Sequence, residues 1–204
     1  MKNILQPVAR VISVIFHPLL IPTIGFFLLF NSGFYFSILP WSVKKFMLLV
    51  VFLSTCVMPA LSILLLALNP KFDIHMTKNT DRVLPILFSS IFYYLGYLIL
   101  KRIPVSPIFN FFLVASILVQ ISLIIISLRW KISAHSAAIG GLVGGYFGLA
   151  FRMHENPLLI LVSLILAAGM VGSARLILDK HTSAQVYAGF LVGFLIMDLV
   201  IVLV

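Results

Sequence analysis

The chain has 204 residues, of which 62% are hydrophobic and 9% are charged, and its mean hydropathy is +1.22. Soluble domains usually carry about 25% charged residues, so this composition excludes a soluble globular protein, a disordered chain and a disulfide scaffold. The formal net charge is +9. The basic residues lie singly or in pairs between apolar runs, which is typical of topology signals and lipid contacts rather than of nucleic-acid binding.

Seven apolar segments fill most of the chain. A membrane-spanning helix needs roughly 20 apolar residues, so the pattern predicts an all-α, polytopic transmembrane bundle of six to seven spans, forming a single membrane domain over residues 1–204. The first segment contains His17, Pro18 and Pro22, and the two prolines predict a kinked or broken helix in an uncleaved span. The predicted segments are approximately 9–30, 46–68, 83–100, 108–128, 133–151, 158–178 and 184–204.

Glycines recur at intervals of four residues in two of these segments. Gly140, Gly144 and Gly148 lie in the fifth segment, and Gly189 and Gly193 lie in the seventh. Small residues at this spacing allow helices to approach closely in lipid. The spacing therefore predicts helix-packing faces in the fifth and seventh segments.

Three polar loops follow the second, fourth and sixth segments. Because two spans separate each loop from the next, all three are predicted to lie on one membrane face. Arginine binds phosphate oxygens with two parallel hydrogen bonds, and two histidines allow one ring to attack phosphorus while the other protonates the leaving group. The residues of this face are Lys78, Arg82, Ser133, His135, Arg175, Asp179, Lys180 and His181.

Each of these residues also fits an ordinary structural role. A lone arginine at a span end is often an anchor, and Ser133 is predicted to cap the fifth segment, whose N–H groups could also face an anion. No acidic residue lies at metal-ligand spacing from His135 or His181, so no metal site is predicted. The set taken together indicates a phosphate site.

The order of these residues resembles the type 2 phosphatidic acid phosphatase superfamily over about residues 71–204. The run Ser-Ala-Arg at 173–175, followed after five residues by His181 and after three more by Gln185, resembles the third motif, Ser-Arg-x5-His-x3-Asp. The run Ile-Ser-Ala-His at 132–135 resembles the second motif, Pro-Ser-Gly-His. The run 78–85 loosely resembles the first motif, Lys-x6-Arg-Pro.

This resemblance implies an all-helical membrane hydrolase that uses no metal cofactor and forms a phosphohistidine. His181 is the implied nucleophile, and His135 is the implied acid that protonates the leaving oxygen. Positioning and charge stabilisation are what phosphoryl transfer chiefly requires. The implied phosphate-binding residues are Lys78, Arg82, Ser133 and Arg175.

Gln185 stands where the third motif has aspartate. Its amide oxygen can orient His181, but it cannot stabilise an imidazolium as a carboxylate does. In serine proteases the comparable loss of a carboxylate costs about 10⁴ in rate. The sequence leaves open a weakened enzyme, rescue by Asp179, a lipid-phosphate binder or carrier without turnover, and an unrelated transporter that uses His17 in the broken first segment.

The predicted substrate is a lipid phosphate or diphosphate, because the residues lie at a membrane interface and the chain has no soluble domain to collect a polar metabolite. Phosphatidic acid and a polyprenyl diphosphate are both candidates. The predicted partners are this substrate and membrane lipids, with no nucleic acid, and the oligomeric state is left open. If the basic residues of the alternate loops are cytoplasmic, the site faces outward, as the family resemblance also implies. The expected location is a bacterial inner membrane.

Overall fold

The computed structural model describes residues 2–68 and 79–204, and within these ranges the chain forms nine α-helices and no β-strand. Six helical stretches of the described residues are long and apolar enough to cross a membrane. The all-α prediction is therefore confirmed for the described residues, and the six stretches are compatible with a polytopic membrane bundle. These stretches are Trp41–Ala67, Val83–Leu100 (α5), Ile108–Ser127 (α6), Ala134–Met153 (α7), Leu158–Ile177 (α8) and Ser183–Leu203 (α9).

The first apolar segment is broken, as its prolines predict. Helix α1 covers Lys2–Ile15, and helix α2 covers Ile21–Asn31. Pro18 lies in the break, whereas Pro22 lies in the first turn of α2, where a missing N–H leaves no helical hydrogen bond unmade.

Helix α1 packs against α8 through its small and polar residues. Ala9 is 1% exposed and Ser13 is 8% exposed, whereas Val11 and Val14 on the other face are more than half exposed. In a membrane protein this exposed apolar face suits contact with lipid. This packing places the end of α1, and the break that follows it, beside the end of α8.

The second span begins earlier than predicted, at Trp41 rather than near residue 46. Helices α3 (Trp41–Phe52) and α4 (Met58–Ala67) are joined by a π-helical turn. Lys44, which lowers the local hydropathy, lies inside α3 and donates a 2.6 Å hydrogen bond from Nζ to the Ser37 carbonyl. Its charge is thus accommodated at the span end, which hydropathy alone could not show.

Helix α7 lies at the centre of the bundle and packs closely against α9. A Cβ atom on Gly189 would lie 2.5 Å from the Ser133 carbonyl oxygen, and one on Gly193 would overlap the Ala137 backbone. Only glycine allows the two helices to approach so closely. The predicted packing role of the glycines is confirmed, and the contact fixes the starts of α7 and α9 beside each other.

An aromatic cluster, which lies away from the start of α7, holds α2 against the bundle. The Phe109 ring centroid lies 5.0 Å from that of Phe36, 5.5 Å from that of Phe30 and 5.6 Å from that of Phe26. Such pairs add to the burial of the rings themselves. The cluster anchors the second half of the broken segment, so that the break itself has a defined position.

Candidate functional site

The three polar loops meet at one end of the bundle. The Arg82 guanidinium, which precedes α5, donates a 3.1 Å hydrogen bond from Nη1 to the Ile132 carbonyl before α7. The Ser133 N–H donates a 3.3 Å bond to the Gln185 carbonyl in the first turn of α9. The described parts of the loops thus lie at one end of the bundle, as the count of spans predicts. Lys78, predicted to bind phosphate, lies outside the described residues.

His181 lies just before α9, next to its N-cap residue Thr182. Gln185 is the third residue of the helix and completes a capping box. Its Oε1 atom accepts a 3.2 Å hydrogen bond from the Thr182 N–H and lies 3.1 Å from His181 Nδ1. His181 precedes the helix, and the capping turn brings its ring to the Gln185 amide oxygen, the contact that the sequence analysis expects.

The capping box determines the tautomer of His181. Because the Thr182 N–H donates to the Gln185 amide atom near the ring, that atom is the oxygen, and a carbonyl oxygen only accepts. His181 Nδ1 must therefore carry the proton and donate it to Gln185. In the neutral ring the lone pair then lies on Nε2, where it is available to an electrophile.

Burial keeps the His181 ring neutral. It lowers the pKa of His181 to about 4, assisted by the positive charges of Arg82, Arg175 and Lys131 and opposed by the hydrogen bond to Gln185. The ordinary pKa of histidine is about 6.5. His181 is thus unprotonated at neutral pH, as a nucleophile must be.

Several positive charges lie close enough to His181 to lower its pKa. Burial lowers the pKa of Lys131, and repulsion from Arg82, Lys180 and Arg175 lowers it further. Burial also lowers the pKa of Arg82. The Arg175 Nε atom is buried and forms no hydrogen bond with the described residues. Half-buried cations arranged in this way favour an anion between them.

Ser133 has the capping role that the sequence predicts. It is fully buried, and its Oγ accepts a 3.3 Å hydrogen bond from the Ser136 N–H and a 2.9 Å bond from the Ser136 hydroxyl. The hydroxyl is thus engaged inside the first turn of α7. Contact between Ser133 and phosphate stays a prediction.

His135 meets two residues of the broken segment that sequence analysis did not assign to the site. Its Nε2 atom lies 3.2 Å from the Ser13 carbonyl oxygen, and its ring centroid lies 5.4 Å from that of His17, edge to face. The Ser13 hydroxyl accepts a 3.2 Å hydrogen bond from Arg175 Nη1. The pairing of His17 with the proline break was the signal in the sequence, but it had suggested transport.

Asp179, the suggested substitute for the motif carboxylate, lies in the turn that ends α8. Its backbone is left-handed, with φ of 51°, and its side chain is exposed. The neighbouring Lys180 N–H donates a 3.2 Å bond to the Arg175 carbonyl, which closes the turn. Gln185, rather than Asp179, is the residue found at the His181 ring.

An apolar cavity of about 130 Å³ begins beside this cluster and runs into the bundle. Pro18, Leu19 and Ala134 line the end next to the site, and Phe112 and Met197 line the deeper part. Ala134 lies between Ser133 and His135 in the chain, so the cavity reaches the start of α7, although none of the described polar side chains of the cluster lines it. A molecule with a polar head and an apolar chain fits this combination.

Comparison with known proteins gives no relative: no protein-family model, curated protein or solved structure matches this chain. Within the described residues no group of three or more His, Cys, Asp and Glu side chains is placed to hold a metal ion. The family resemblance therefore depends on the motif residues and their arrangement.

Proposed function

We propose that this chain is an integral-membrane phosphatase that acts on a lipid phosphate or polyprenyl diphosphate through a phosphohistidine at His181. The observation that carries the proposal is the environment of this ring. Its Nδ1–H donates to Gln185, its Nε2 lone pair is unprotonated at neutral pH, and Arg82, Arg175 and Lys131 lie around it.

The proposed reaction has two displacement steps. His181 Nε2 attacks phosphorus, a nitrogen–phosphorus bond forms, and the bond from phosphorus to the lipid oxygen breaks. His135 enters this step protonated on both ring nitrogens: its Nε2–H donates to the Ser13 carbonyl, its Nδ1 proton passes to the leaving oxygen, and Nδ1 then takes a proton from the water of the second step. Water then attacks phosphorus, and inorganic phosphate leaves as the nitrogen–phosphorus bond breaks.

The arginines stabilise the charge that moves through these steps. Arg82 and Arg175 come from different elements, before α5 and at the end of α8, so they can contact different oxygens of one phosphoryl group. Because both guanidinium groups are half-buried, their attraction to an anion is screened less than at an exposed surface. Lys78 is proposed to act with them, as the motif resemblance implies.

The apolar cavity and the loop charges support the substrate class and the location. The cavity that begins at Ala134 can accept the chain of a lipid whose phosphate lies between the arginines. Basic residues occur at both ends of the bundle. If the five at the other end, Lys44, Lys45, Lys101, Arg102 and Arg152, are cytoplasmic, the site faces outward. The family resemblance favours this orientation, and we propose an outward-facing site in a bacterial inner membrane.

A second candidate function is a lipid-phosphate binder or carrier without turnover. The observation in its favour is the neutral Gln185 amide, which orients His181 but adds no negative charge to stabilise its protonated or phosphorylated form. The same cations and cavity would then serve binding alone. The two functions differ in whether phosphate is released.

The deciding experiment measures phosphate release by purified protein in detergent with EDTA present. Wild type and His181→Ala are compared on a polyprenyl diphosphate and on phosphatidic acid. His154→Asn is the matched control, because His154 is exposed at the other end of α7 and has the left-handed backbone that asparagine tolerates. The enzyme proposal predicts release by wild type and the control, and none by His181→Ala.

The same experiment distinguishes the binding proposal from the enzyme proposal. Binding of these lipids without release by any of the three proteins would support the binder or carrier. Release that is undiminished in His181→Ala would contradict the phosphohistidine mechanism.

A further inference from the structure

Ser13 connects two residues of the site that come from different helices. Its carbonyl oxygen accepts the Nε2–H of His135, near the start of α7, at 3.2 Å. Its hydroxyl accepts the Nη1–H of Arg175, near the end of α8, at 3.2 Å. One buried residue thus contacts the proposed acid and one of the proposed phosphate-binding cations.

Both contacts restrict side chains whose direction matters for an anion. A carbonyl oxygen only accepts hydrogen bonds, so the Ser13 contact keeps the His135 proton on Nε2 and directs Nδ1 elsewhere. The Arg175 guanidinium has five N–H donors in a rigid plane, and fixing one of them orients the others. Ser13 can therefore set the direction from which both groups meet a ligand.

The surroundings of Ser13 explain how this position arises. Helix α1 ends at Ile15, two residues later, and the break containing His17 and Pro18 follows. The packing of α1 on α8 brings Ser13 to Arg175 of α8 and to His135 of α7. Ser13 is 8% exposed, and a hydroxyl at such a position requires a hydrogen-bond partner.

We propose that Ser13 is a positioning residue of the anion site, where its hydroxyl holds the Arg175 guanidinium in the orientation that binds phosphate. The inference gives the broken first segment a direct part in the site. It rests on the proposed function only for the identity of the anion, because the argument requires binding of a phosphate group and no turnover.

The test measures binding of inorganic phosphate to the full-length protein in detergent. Ser13→Ala removes the hydroxyl and keeps the carbonyl that contacts His135. Because this variant loses a hydrogen bond to a charged group, we expect it to bind phosphate about tenfold more weakly than wild type. Ser13→Thr keeps a hydroxyl, so its affinity for inorganic phosphate is expected to lie within about twofold of the wild-type affinity.

A double-mutant cycle with Arg175→Met distinguishes positioning from a structural effect. If Ser13 acts through Arg175, Ser13→Ala costs less than about twofold in affinity once the guanidinium is gone. Ser163→Ala is the matched control, because Ser163 is exposed on α8 and its hydroxyl donates within its own helix, to the Leu159 carbonyl at 2.7 Å. This variant is expected to bind phosphate as wild type does.

Two results would overturn the inference. One is unchanged phosphate affinity in Ser13→Ala with an unaltered thermal midpoint. The other is an equal loss in the presence and absence of Arg175. The outcome is independent of the phosphatase proposal, since a protein that releases no phosphate from lipids can still lose phosphate binding on removal of the Ser13 hydroxyl.

Discussion

Gln185 accepts a hydrogen bond from His181 through the same oxygen that caps the start of α9. The Oε1 atom is 3.1 Å from His181 Nδ1 and 3.2 Å from the Thr182 nitrogen. The capping turn thus determines where the His181 ring lies, and the amide determines which nitrogen carries the proton. Any change of charge at position 185 is transmitted directly to the proposed nucleophile.

Gln185→Glu tests this relationship while preserving the capping box, in which glutamate is as suitable as glutamine. The carboxylate stabilises the positive ring that forms when His181 takes up phosphorus. We expect phosphate release to increase by about tenfold or more, since loss of such a carboxylate costs about 10⁴ in serine proteases. The measurement is the rate of phosphate release from a lipid phosphate at saturating substrate, compared between wild type and Gln185→Glu.

Gln185→Leu is the opposite variant, because it removes the acceptor without adding charge. We expect release to fall and the thermal midpoint to drop slightly as the capping box is lost. Equal activity in the glutamate, leucine and wild-type proteins would show that the residue at position 185 does not act on His181.

The pH dependence of activity provides a second prediction. The pKa of His181 is about 4, lowered from its ordinary value mainly by burial. Because the nucleophile must be unprotonated, activity is lost only as the pH falls through this lowered value. We expect the acidic limb of kcat/KM near pH 4 rather than near the ordinary histidine value of about 6.5.

Gln185→Glu must move this limb upward, because a carboxylate favours the protonated ring. The measurement is kcat/KM from pH 3.5 to 8 in both proteins, within the range where the thermal midpoint is unchanged. A wild-type limb above pH 6, or a downward shift in the variant, would contradict the assignment of this limb to His181.

Much of the fold and part of the site could be predicted from the sequence. Apolar length locates the spans, and counting spans between loops places Arg82, His135 and His181 on one face. The capping box is also contained in the sequence, because Thr182 and Gln185 have the Ser/Thr-x-x-Glu/Gln spacing. The motif resemblance gives Gln185 a different role, as the partner of His181.

Ser13 could not be predicted in the same way. Its place depends on the angle at the break after α1, which is set by packing of α2 around Phe109 and of α1 on α8. Hydropathy and motif spacing contain no information about such an angle. The two contacts of Ser13 therefore became visible only once the helices were packed together.

Arg82 and Arg152 form a matched pair for testing the role of charge. Each donates one guanidinium hydrogen bond to a backbone carbonyl, Arg82 to Ile132 at 3.1 Å and Arg152 to Ile201 at 3.0 Å. Only Arg82 lies at the site. We expect Arg82→Gln to weaken inorganic phosphate binding by about tenfold or more, as for a lost charge-assisted bond.

Arg152→Gln is expected to leave phosphate binding unchanged, although its effect on the thermal midpoint can be similar. Calorimetric titration of both variants with phosphate makes the comparison. Equal losses of affinity in the two proteins would indicate a long-range effect of net charge rather than an anion site around Arg82.

The apolar cavity makes a prediction about chain length. Ala138 lines the cavity on α7, so Ala138→Leu narrows it without adding charge. We expect the KM for long-chain lipid phosphates to rise several-fold, while the KM for a short water-soluble phosphate ester is unchanged. Leu166→Phe on the exposed face of α8 is the control. Equal effects on both substrates would place the lipid chain elsewhere.

The contact between α7 and α9 predicts which glycines the site depends on. A Cβ on Gly193 would overlap the Ala137 backbone, whereas one on Gly169 in α8 would meet nothing within 4 Å. Since backbone atoms cannot rotate away, Gly193→Ala must separate the helices, at a cost of about 1–3 kcal/mol in unfolding free energy. Gly169→Ala should be neutral or stabilising by up to about 1 kcal/mol.

Separation of the helices would also stretch the hydrogen bond from the Ser133 N–H to the Gln185 carbonyl. Gly193→Ala is therefore expected to lose phosphate affinity together with thermal stability, and a destabilised protein with unaltered affinity would show that the site does not depend on this contact.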